Sequence, residues 1–148
     1  MKIFLAGAVT GTTEKQLGKY SVYQGELKKL FPKMELTTPD VIWEYRQKVI
    51  KKYPEYTKIQ VDEAMVKFDL KRVRDSDYIV CDLSSLSTGL GIELGVAVEN
   101  KKKIVFFFEK DSKVSNMITG AFPKATFIEY KNTKELIQRI KEYFNSAV

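Results

Sequence analysis

Two glycine-rich segments of this 148-residue chain have the residue types that ligand-binding loops require. The first reads GAVTGTT over residues 7–13, and the second reads SSLSTGLGIELG over residues 84–95. Glycines let a backbone approach a ligand closely, and free N–H groups that lead into a helix favour an anion. The first segment lacks the spacing of a dinucleotide-binding loop and the lysine of a P-loop, which argues against both kinds of site. It fits a plain tight turn equally well.

Glu93 is the acidic residue of the second segment, and the apolar run LGVAV follows it. The pattern predicts a buried helix that begins around Gly91, with Glu93 in its first turn. There the helix dipole stabilises a negative charge, and a carboxylate in a cleft of small residues can act as a nucleophile or a base. The same pattern fits a simpler role in which Glu93 caps the start of its own helix. The residues alone leave both interpretations open.

Asp69 lies on the apolar stripe of a helix that the spacing predicts over residues 59–74. Its neighbours on that stripe are Met65, Phe68 and Val73. A carboxylate buried in such a stripe costs free energy unless it has a partner. Asp69 therefore either faces solvent or points into a polar site.

The composition excludes several kinds of active site. The chain has no histidine and a single cysteine, Cys81. Ser-His-Asp and Cys-His catalysis, His-ligated metal sites, CxxC metal sites and internal disulfides are therefore all excluded. Cys81 itself is expected to be a small core residue. The net charge of +6 favours anionic partners without choosing among them, and we expect neither a metal nor a cofactor.

Short continuous apolar runs alternate with amphipathic stretches along the whole chain. The runs cover residues 2–6, 35–38, 78–82, 103–108 and 125–130. Continuous apolar runs are typical of parallel strands that helices cover on both faces. The sequence therefore predicts one α/β domain over residues 1–148, with a doubly wound, Rossmann- or flavodoxin-like sheet of five parallel strands. Residues 39–56 fit least well, and we expect a loop with a short helix there.

The apolar runs also bear on the expected location of the protein. The chain opens MKIFLAG without the features of a cleavable signal peptide. The longest apolar run, residues 104–108, is far too short to cross a bilayer. We therefore expect a cytoplasmic protein without a membrane partner. No stripe of basic and aromatic residues is present, so nucleic acid is not an expected partner either.

Four segments of the chain, taken in order, carry a resemblance to a known enzyme group. They read IFLAGAVTG, DLKRVRDSDYIV, SLSTGLGIELGVAVENKKKI and VSNMITG. With these segments the chain resembles the nucleoside 2-deoxyribosyltransferase superfamily over nearly its whole length. Within that superfamily it is most similar to the 2'-deoxynucleoside 5'-monophosphate N-hydrolases.

The resemblance implies chemistry at the C1' atom of a nucleotide sugar. Glu93 matches the family nucleophile, which forms a glycosyl ester with the sugar while the base leaves. Asp69 matches a second carboxylate, which handles the proton of the leaving base and contacts the sugar. Water then resolves the ester in a hydrolase, and a second base resolves it in a transferase.

The resemblance also implies a set of substrate contacts. Ser87 and Ser115 match two serines that bind the 5'-phosphate. Ser115 comes from the neighbouring subunit, which implies a homodimer with a shared site. Asp40 falls near the loop that recognises the base. The other implied contacts are Phe4, Gly7, Ala8, Val9, Thr10, Gly11, Gly89, Asn116 and Met117.

Two departures from the family pattern bear on specificity. Ala8 and Thr10 stand where the family hydrolases usually carry Ser and Arg, so one guanidinium contact to the phosphate is missing. Phe4 stands where a tyrosine lies near the sugar in the family. Because phenylalanine lacks the hydroxyl that would crowd a 2'-OH, we hypothesise that ribonucleoside monophosphates are tolerated or preferred.

The leading functional prediction is hydrolysis of the N-glycosidic bond of (deoxy)nucleoside 5'-monophosphates. The products would be the free base and (deoxy)ribose 5-phosphate, formed through a covalent glycosyl intermediate on Glu93. The alternative is a nucleoside or nucleotide (deoxy)ribosyltransferase that exchanges bases through the same intermediate. A third possibility, a nucleotide-binding module without catalysis, would keep affinity for monophosphates but release no base.

Overall fold

The strands of the central sheet all run in one direction. The structure, a computed structural model, describes residues 1–7, 22, 24–29, 32, 35–37, 39–84 and 87–147. Its strands are β1 (Lys2–Ala6), β2 (Glu35–Thr37), β3 (Tyr78–Asp82), β4 (Lys103–Glu109) and β5 (Thr126–Tyr130). They lie in the order β2-β1-β3-β4-β5, and each neighbouring pair is parallel. The predicted α/β architecture with a parallel, Rossmann-like sheet is confirmed.

Helices connect these strands. They are α1 (Pro39–Lys52), α2 (Lys58–Asp75), α3 (Thr88–Glu99), α4 (Asn116–Ala121) and α5 (Thr133–Ala147), and residues 24–29 are also helical. The capping box of α2 shows why it begins where it does. The Thr57 Oγ1 accepts a hydrogen bond from the Gln60 N–H, and the Gln60 side chain accepts one from the Thr57 N–H. Within the described ranges, no helix is both long enough and apolar enough to cross a membrane.

Each face of the sheet has its own apolar core. On one face, Leu5 of β1 packs in a cluster with Leu136 of α5. On the opposite face, Phe4 of β1 packs in a cluster with Val73 of α2 and Leu94 of α3. Neighbouring residues of a strand point to opposite faces, so a strand covered on both sides is apolar throughout. Because α2 and α3 share one face, they pack side by side.

Helix α1 corrects the prediction for residues 39–56. A helix covers Pro39–Lys52, where the prediction was a loop with a short helix. Proline is favoured at the first position of a helix, where its missing N–H has no partner to lose, so Pro39 begins the helix. The rings of Tyr45 and Phe68 stack with centroids 3.9 Å apart, which packs α1 on α2. Trp43 is 60% exposed and lies on the outer surface of α1.

The strand order indicates where a ligand should bind. β1 pairs with β2 on one side and with β3 on the other, so the sheet continues in opposite directions from β1. In sheets of this order, ligands bind beyond the carboxyl ends of the strands, beside this switch point. Gly7 follows β1, and Leu83, Ser84 and Ser87 follow β3 at the same edge. The topology therefore places Gly7, Ser84 and Ser87 beside one ligand-binding edge.

Candidate active site

Glu93 lies in the second turn of α3. The helix begins at Thr88, and Ser87 is its N-cap, because the Ser87 Oγ accepts a hydrogen bond from the Leu90 N–H at 3.1 Å. The predictions that the helix begins around Gly91 and that Glu93 lies in its first turn are therefore wrong. The alternative role of Glu93 as a cap is also wrong. The dipole argument no longer applies to Glu93, since that effect fades within the first turn.

The carboxyl groups of Asp69 and Glu93 face each other between α2 and α3. They form a hydrogen bond in which a proton on Glu93 is donated to Asp69. The Asp69 Oδ1 and Glu93 Oε2 atoms are buried, and neither meets an N–H or O–H donor among the described residues. Of the two orientations that the sequence left open for Asp69, the structure shows the one that points into a polar site.

Burial makes both carboxyl groups weaker acids than usual. It raises the pKa of Asp69 above its ordinary value. Burial, together with the negative charge of Asp69, raises the pKa of Glu93 to about 9. Two carboxylates in contact in a poorly solvated place do not both ionise at neutral pH, so the pair retains one proton. Titratable groups shifted in this way are concentrated at functional sites.

A carboxyl pair that holds one proton offers two reactive groups at once. The protonated member can act as a general acid, and the ionised member can act as an oxygen nucleophile or a base. Enzymes that use two carboxyl groups depend on surroundings that separate the two roles. Asp69 and Glu93 can therefore provide acid and nucleophile in a chain that has no histidine.

Both serines that are predicted to bind phosphate cap a helix. Ser115 is the N-cap of α4, and its Oγ accepts a hydrogen bond from the Met117 N–H at 3.2 Å, as Ser87 does at the start of α3. A serine hydroxyl that accepts in this way keeps its own hydrogen for donation. The first N–H groups of a helix have no partner within the helix, so hydroxyl and backbone donors occur together at these places. Such a place suits an anion, and phosphate binding by the two serines stays a prediction.

The structure places five other predicted contacts. Phe4 is 3% exposed and belongs to the apolar cluster beneath α2 and α3. Gly7 is half-buried directly after β1, and Gly89 is exposed in the first turn of α3. Asn116 and Met117 are the first two residues of α4 and are both exposed. Contact of any of them with a substrate stays a prediction.

The remaining predicted contacts are less completely placed. Ala8, Val9, Thr10 and Gly11 lie outside the described residues. Asp40 is the second residue of α1, so its backbone is helical where a loop was expected, and its side chain also lies outside the description.

A polar network that no motif above predicts joins the ends of β3, β4 and β5. The Ser84 Oγ accepts a hydrogen bond from the Glu109 N–H at 3.0 Å and lies 3.3 Å from the Tyr130 hydroxyl oxygen. The Asp82 Oδ1 accepts from the Ser84 N–H at 2.8 Å. Burial raises the pKa of Tyr130 to about 12, which keeps its hydroxyl protonated. The order Asp-x-Ser after a strand is the sequence signal, since aspartate often bonds the N–H two residues ahead.

Cys81 is a core residue of β3, as predicted. It is fully buried, and burial raises the pKa of its thiol well above the ordinary value. The thiolate is the reactive form of cysteine, so Cys81 is not a nucleophile at neutral pH. In the part of the chain that the structure describes, no three His, Cys, Asp or Glu side chains form a group that could hold a metal ion.

The sequence is similar to several curated proteins, although no family model matches it. A 5-hydroxymethyl-dUMP N-hydrolase of Branchiostoma floridae is 31% identical over 90 residues, which cover 58% of this chain and 85% of that protein. A protein of the same name from Tetraodon nigroviridis is 35% identical over 80 residues, or 53% of this chain and 56% of its own length. A Trichoplax adhaerens protein named as a 2'-deoxynucleoside 5'-phosphate N-hydrolase is 32% identical over 90 residues, which cover 59% of this chain and 62% of that protein. The chain thus spans less than two thirds of the last two relatives.

Two solved structures share the fold over almost the whole chain. The CMP N-glycosidase of Clostridium botulinum has a TM-score of 0.64 at 19% identity, with 97% of this chain and 99% of that chain covered. The 2-deoxyribosyltransferase of Bacillus psychrosaccharolyticus has a TM-score of 0.69 at 19% identity, with 93% and 90% covered. At this level of identity the similarity establishes the fold.

Proposed function

Because the chain belongs to the family of the 5-hydroxymethyl-dUMP and 2'-deoxynucleoside 5'-phosphate N-hydrolases, we propose that it hydrolyses the N-glycosidic bond of (deoxy)nucleoside 5'-monophosphates. The products are the free base and (deoxy)ribose 5-phosphate. The observation that carries the proposal is the buried pair of Asp69 and Glu93, which retains one proton. A nucleotide substrate also agrees with the positive net charge and with the predicted cytoplasmic location.

In the first step, the Glu93 carboxylate attacks C1' of the sugar while the bond from C1' to the base nitrogen breaks. Before this attack, the proton that Glu93 donates in the hydrogen bond passes to Asp69, which leaves Glu93 as the carboxylate. Asp69 then gives this proton to the departing base. This transfer matters because a base that leaves with an uncompensated negative charge leaves slowly. The product is a glycosyl ester of Glu93, reached through a transition state with oxocarbenium character.

In the second step, water attacks C1' of the glycosyl ester. Asp69, which is now a carboxylate, takes a proton from that water while the bond from C1' to the Glu93 oxygen breaks. Glu93 leaves as a carboxylate, and the pair regains the single proton with which it began. Two displacements at one carbon give a sugar product of retained configuration.

We assign the 5'-phosphate to the donors at the starts of α3 and α4. The Ser87 and Ser115 hydroxyls each have a hydrogen to donate, and the Gly89 N–H lies in the first turn of α3. A serine at position 87 suits a phosphate, since a carboxylate there would repel the negative charge. This contact distinguishes monophosphates from free nucleosides.

The proposal includes a homodimer in which a second copy of the chain supplies Ser115. Its support in the structure is apolar surface on the helices concerned. Ile92 of α3 is 54% exposed, and Met117 of α4 is 80% exposed. A second copy that covers these side chains would remove them from water, which favours association.

Incubation with CMP, dCMP, GMP and dGMP tests the activity. We expect chromatography to show free base and pentose 5-phosphate from at least one of them, and about tenfold less base from the matching nucleoside without phosphate. The Glu93→Gln variant is the matched control, because it keeps the side-chain shape but cannot form the ester. Undiminished base release by that variant would overturn the role of Glu93. A new nucleotide on addition of a second free base would identify the transferase instead.

A mixing experiment tests the shared site. We expect Glu93→Gln and Ser115→Ala to be weakly active alone at low substrate concentration. Subunits exchanged between them form mixed dimers with one intact site, so activity should recover in part. If Ser115 serves the site of its own subunit, no mixed dimer has an intact site, and the absence of recovery would contradict the proposal.

The Phe4→Tyr variant tests the sugar preference. We expect it to lower turnover of CMP relative to dCMP, because the added hydroxyl would occupy space near the 2' position. Phe4 is buried, so thermal unfolding of the variant must show a cooperative transition. An unchanged ratio of CMP to dCMP turnover would count against a role of Phe4 in sugar selection.

A further inference from the structure

A cavity of about 400 Å³ opens at the opposite end of the sheet, where β4 and β5 begin. Its accessible apolar wall includes Val98 from the last turn of α3, Pro123 just after α4 and the half-buried Tyr143 of α5, with Ala97 buried beneath them. Ala97 lies one helical turn beyond Glu93, but Glu93, Asp69 and the capping serines do not line the cavity. The cavity is therefore separate from the candidate active site.

Lysine is the charged residue that lines this cavity. Four lysines do so, namely Lys101, Lys102, Lys103 and Lys124, and none of the lining residues, all of them described, is Asp or Glu. Positive charges gathered without a carboxylate repel one another and attract an anion. A concave surface lined by one sign of charge also strengthens that attraction.

Two of these lysines are held by uncharged partners. The Lys102 Nζ donates to the carbonyl oxygens of Arg74 and Ser76, the second at 2.8 Å. The Lys103 Nζ lies 5.2 Å from the centroid of the Tyr78 ring. A carbonyl or an aromatic ring orients an ammonium group without cancelling its charge. Both groups stay charged, but none of their partners lines the cavity, so these two lysines add positive charge beside it rather than contacts within it.

Lys101 occupies a backbone position that favours glycine. Its φ is 51°, which lies in the left-handed region. The Lys101 N–H donates to the Val98 carbonyl at 3.0 Å, so this conformation closes the turn that ends α3. Glycine would adopt it with less strain, whereas lysine brings a charged side chain to the cavity.

We propose that this cavity binds an organic anion that has an apolar body. The anionic group contacts Lys101 and Lys124, and the apolar body lies against Pro123 and Val98 in the last turn of α3. The charge and the apolar wall are both needed: inorganic phosphate alone lacks the apolar body, and a neutral aromatic molecule lacks the charge. The proposal is independent of the proposed function, since it involves no residue of the carboxyl pair.

Titration with 8-anilinonaphthalene-1-sulfonate, an aromatic sulfonate whose fluorescence rises in apolar surroundings, tests the proposal. We expect saturable binding of one molecule per chain. N-phenyl-1-naphthylamine, which lacks the sulfonate, should bind about tenfold more weakly, as expected for the loss of a charge-assisted contact. Equal affinity for the two compounds, or fluorescence that does not saturate, would overturn the proposal.

Lysine variants identify the site. The double variant Lys101→Gly, Lys124→Gln should weaken binding of the sulfonate by about tenfold or more. Lys48→Gln, Lys51→Gln is the matched control, because it removes the same charge from the exposed surface of α1 and should leave the affinity unchanged. Equal losses in the two double variants would show a general charge effect and would overturn the assigned site.

A cavity-filling variant tests the location independently of charge. Ala121 is exposed and lines the cavity, so Ala121→Trp should block binding of the sulfonate without disturbing the core. Glu93→Gln should bind it as the parent protein does. If Ala121→Trp binds unchanged, or if Glu93→Gln loses binding, the sulfonate occupies another place and the proposal fails. Both results are read from binding, so they do not depend on whether the protein hydrolyses nucleotides.

Discussion

Two polar clusters beside the sheet differ in how their groups are satisfied. In the network around Ser84, the hydroxyls of Ser84 and Tyr130 and the N–H groups of Ser84 and Glu109 all have hydrogen-bond partners. In the pair of Asp69 and Glu93, two buried carboxyl oxygens meet no donor among the described residues. Buried polar groups are normally paired, so the first cluster is what stability alone requires. Buried oxygens without donors are expected to cost stability, which agrees with the proposal that the second cluster is kept for chemistry.

The largest expected difference between the two clusters is in activity. Glu93→Gln should reduce base release by about 1,000-fold or more, because it removes the proposed nucleophile. Asp69→Asn should reduce base release by about 100-fold or more, because it removes the proposed acid. Tyr130→Phe, which changes the network around Ser84, should release base at a rate within a few-fold of that of the parent protein. Steady-state rates of base release measure all three, and a loss in Tyr130→Phe as large as that in Asp69→Asn would remove the distinction.

The parallel sheet could be predicted from the sequence because burial on both faces of a strand is visible in its local residue pattern. Each strand between two layers of helices must be apolar at consecutive positions, and runs such as residues 78–82 show this directly. The segment that became α1 could not be predicted well, since Pro39 also suits a loop. Its helical state depends on packing against α2 through Tyr45 and Phe68, which are distant in sequence.

The sequence could predict which residues form the candidate site, but not how these residues contact one another. Periodicity places Asp69 on an inward stripe of α2, and the glycine-rich segment draws attention to Glu93. Their hydrogen bond depends on α2 and α3 lying side by side, which is a property of the tertiary structure. The start of α3 was misplaced because Gly89 and Gly91 resemble loop residues, whereas Ser87 caps the helix before them.

The next expected effect concerns substrate affinity at the helix starts. Ser87→Ala should raise KM for a nucleoside monophosphate by about tenfold, because it removes one donor to a charged group, and kcat should change less. Ser87 is also the N-cap of α3, so a loss of about 1 kcal/mol in unfolding free energy should accompany the change. Ser87→Thr keeps both the cap and the hydroxyl and is the control. A KM effect of equal size with the unphosphorylated nucleoside would refute the contact with phosphate.

The carboxyl pair should also make stability depend on pH in a range in which Tyr130, the shifted group of the network around Ser84, does not titrate. The pKa of Glu93 is raised to about 9 in the folded protein, against an ordinary value near 4.3 in an unfolded chain. Between these values the folded state binds more protons than the unfolded state. The unfolding free energy should therefore fall as pH rises through this range.

Urea denaturation of the parent protein and of Glu93→Gln, at several pH values between 5 and 9, measures this effect. The unfolding free energy of Glu93→Gln should not show the decline that Glu93 causes. The difference in unfolding free energy between the variant and the parent protein should therefore grow with pH, in favour of the variant. If the unfolding free energies of the two proteins changed with pH in parallel, the pKa of Glu93 would be the same in the folded and unfolded protein.

The smallest expected effect is the contribution of the network around Ser84 to the stability of the protein. Tyr130→Phe should lower the unfolding free energy by about 1 kcal/mol, since it removes the hydroxyl that meets Ser84 while the ring stays in the core. Urea denaturation measures the change. Tyr143→Phe removes a hydroxyl from a half-buried ring of α5, outside the network, and is the matched control. A higher unfolding free energy in Tyr130→Phe would show that this hydroxyl destabilises the folded protein.

The place of the single tryptophan decides what an optical unfolding experiment reports. Trp43 is largely exposed on α1, with the guanidinium of Arg46 5.4 Å from its ring centroid. Its emission therefore follows the surroundings of an outer helix, whereas circular dichroism follows the backbone of every helix and strand. A fluorescence midpoint below the dichroism midpoint would mean that α1 separates from α2 before the sheet melts. Coincident midpoints would mean that the outer helix and the sheet unfold as one cooperative unit.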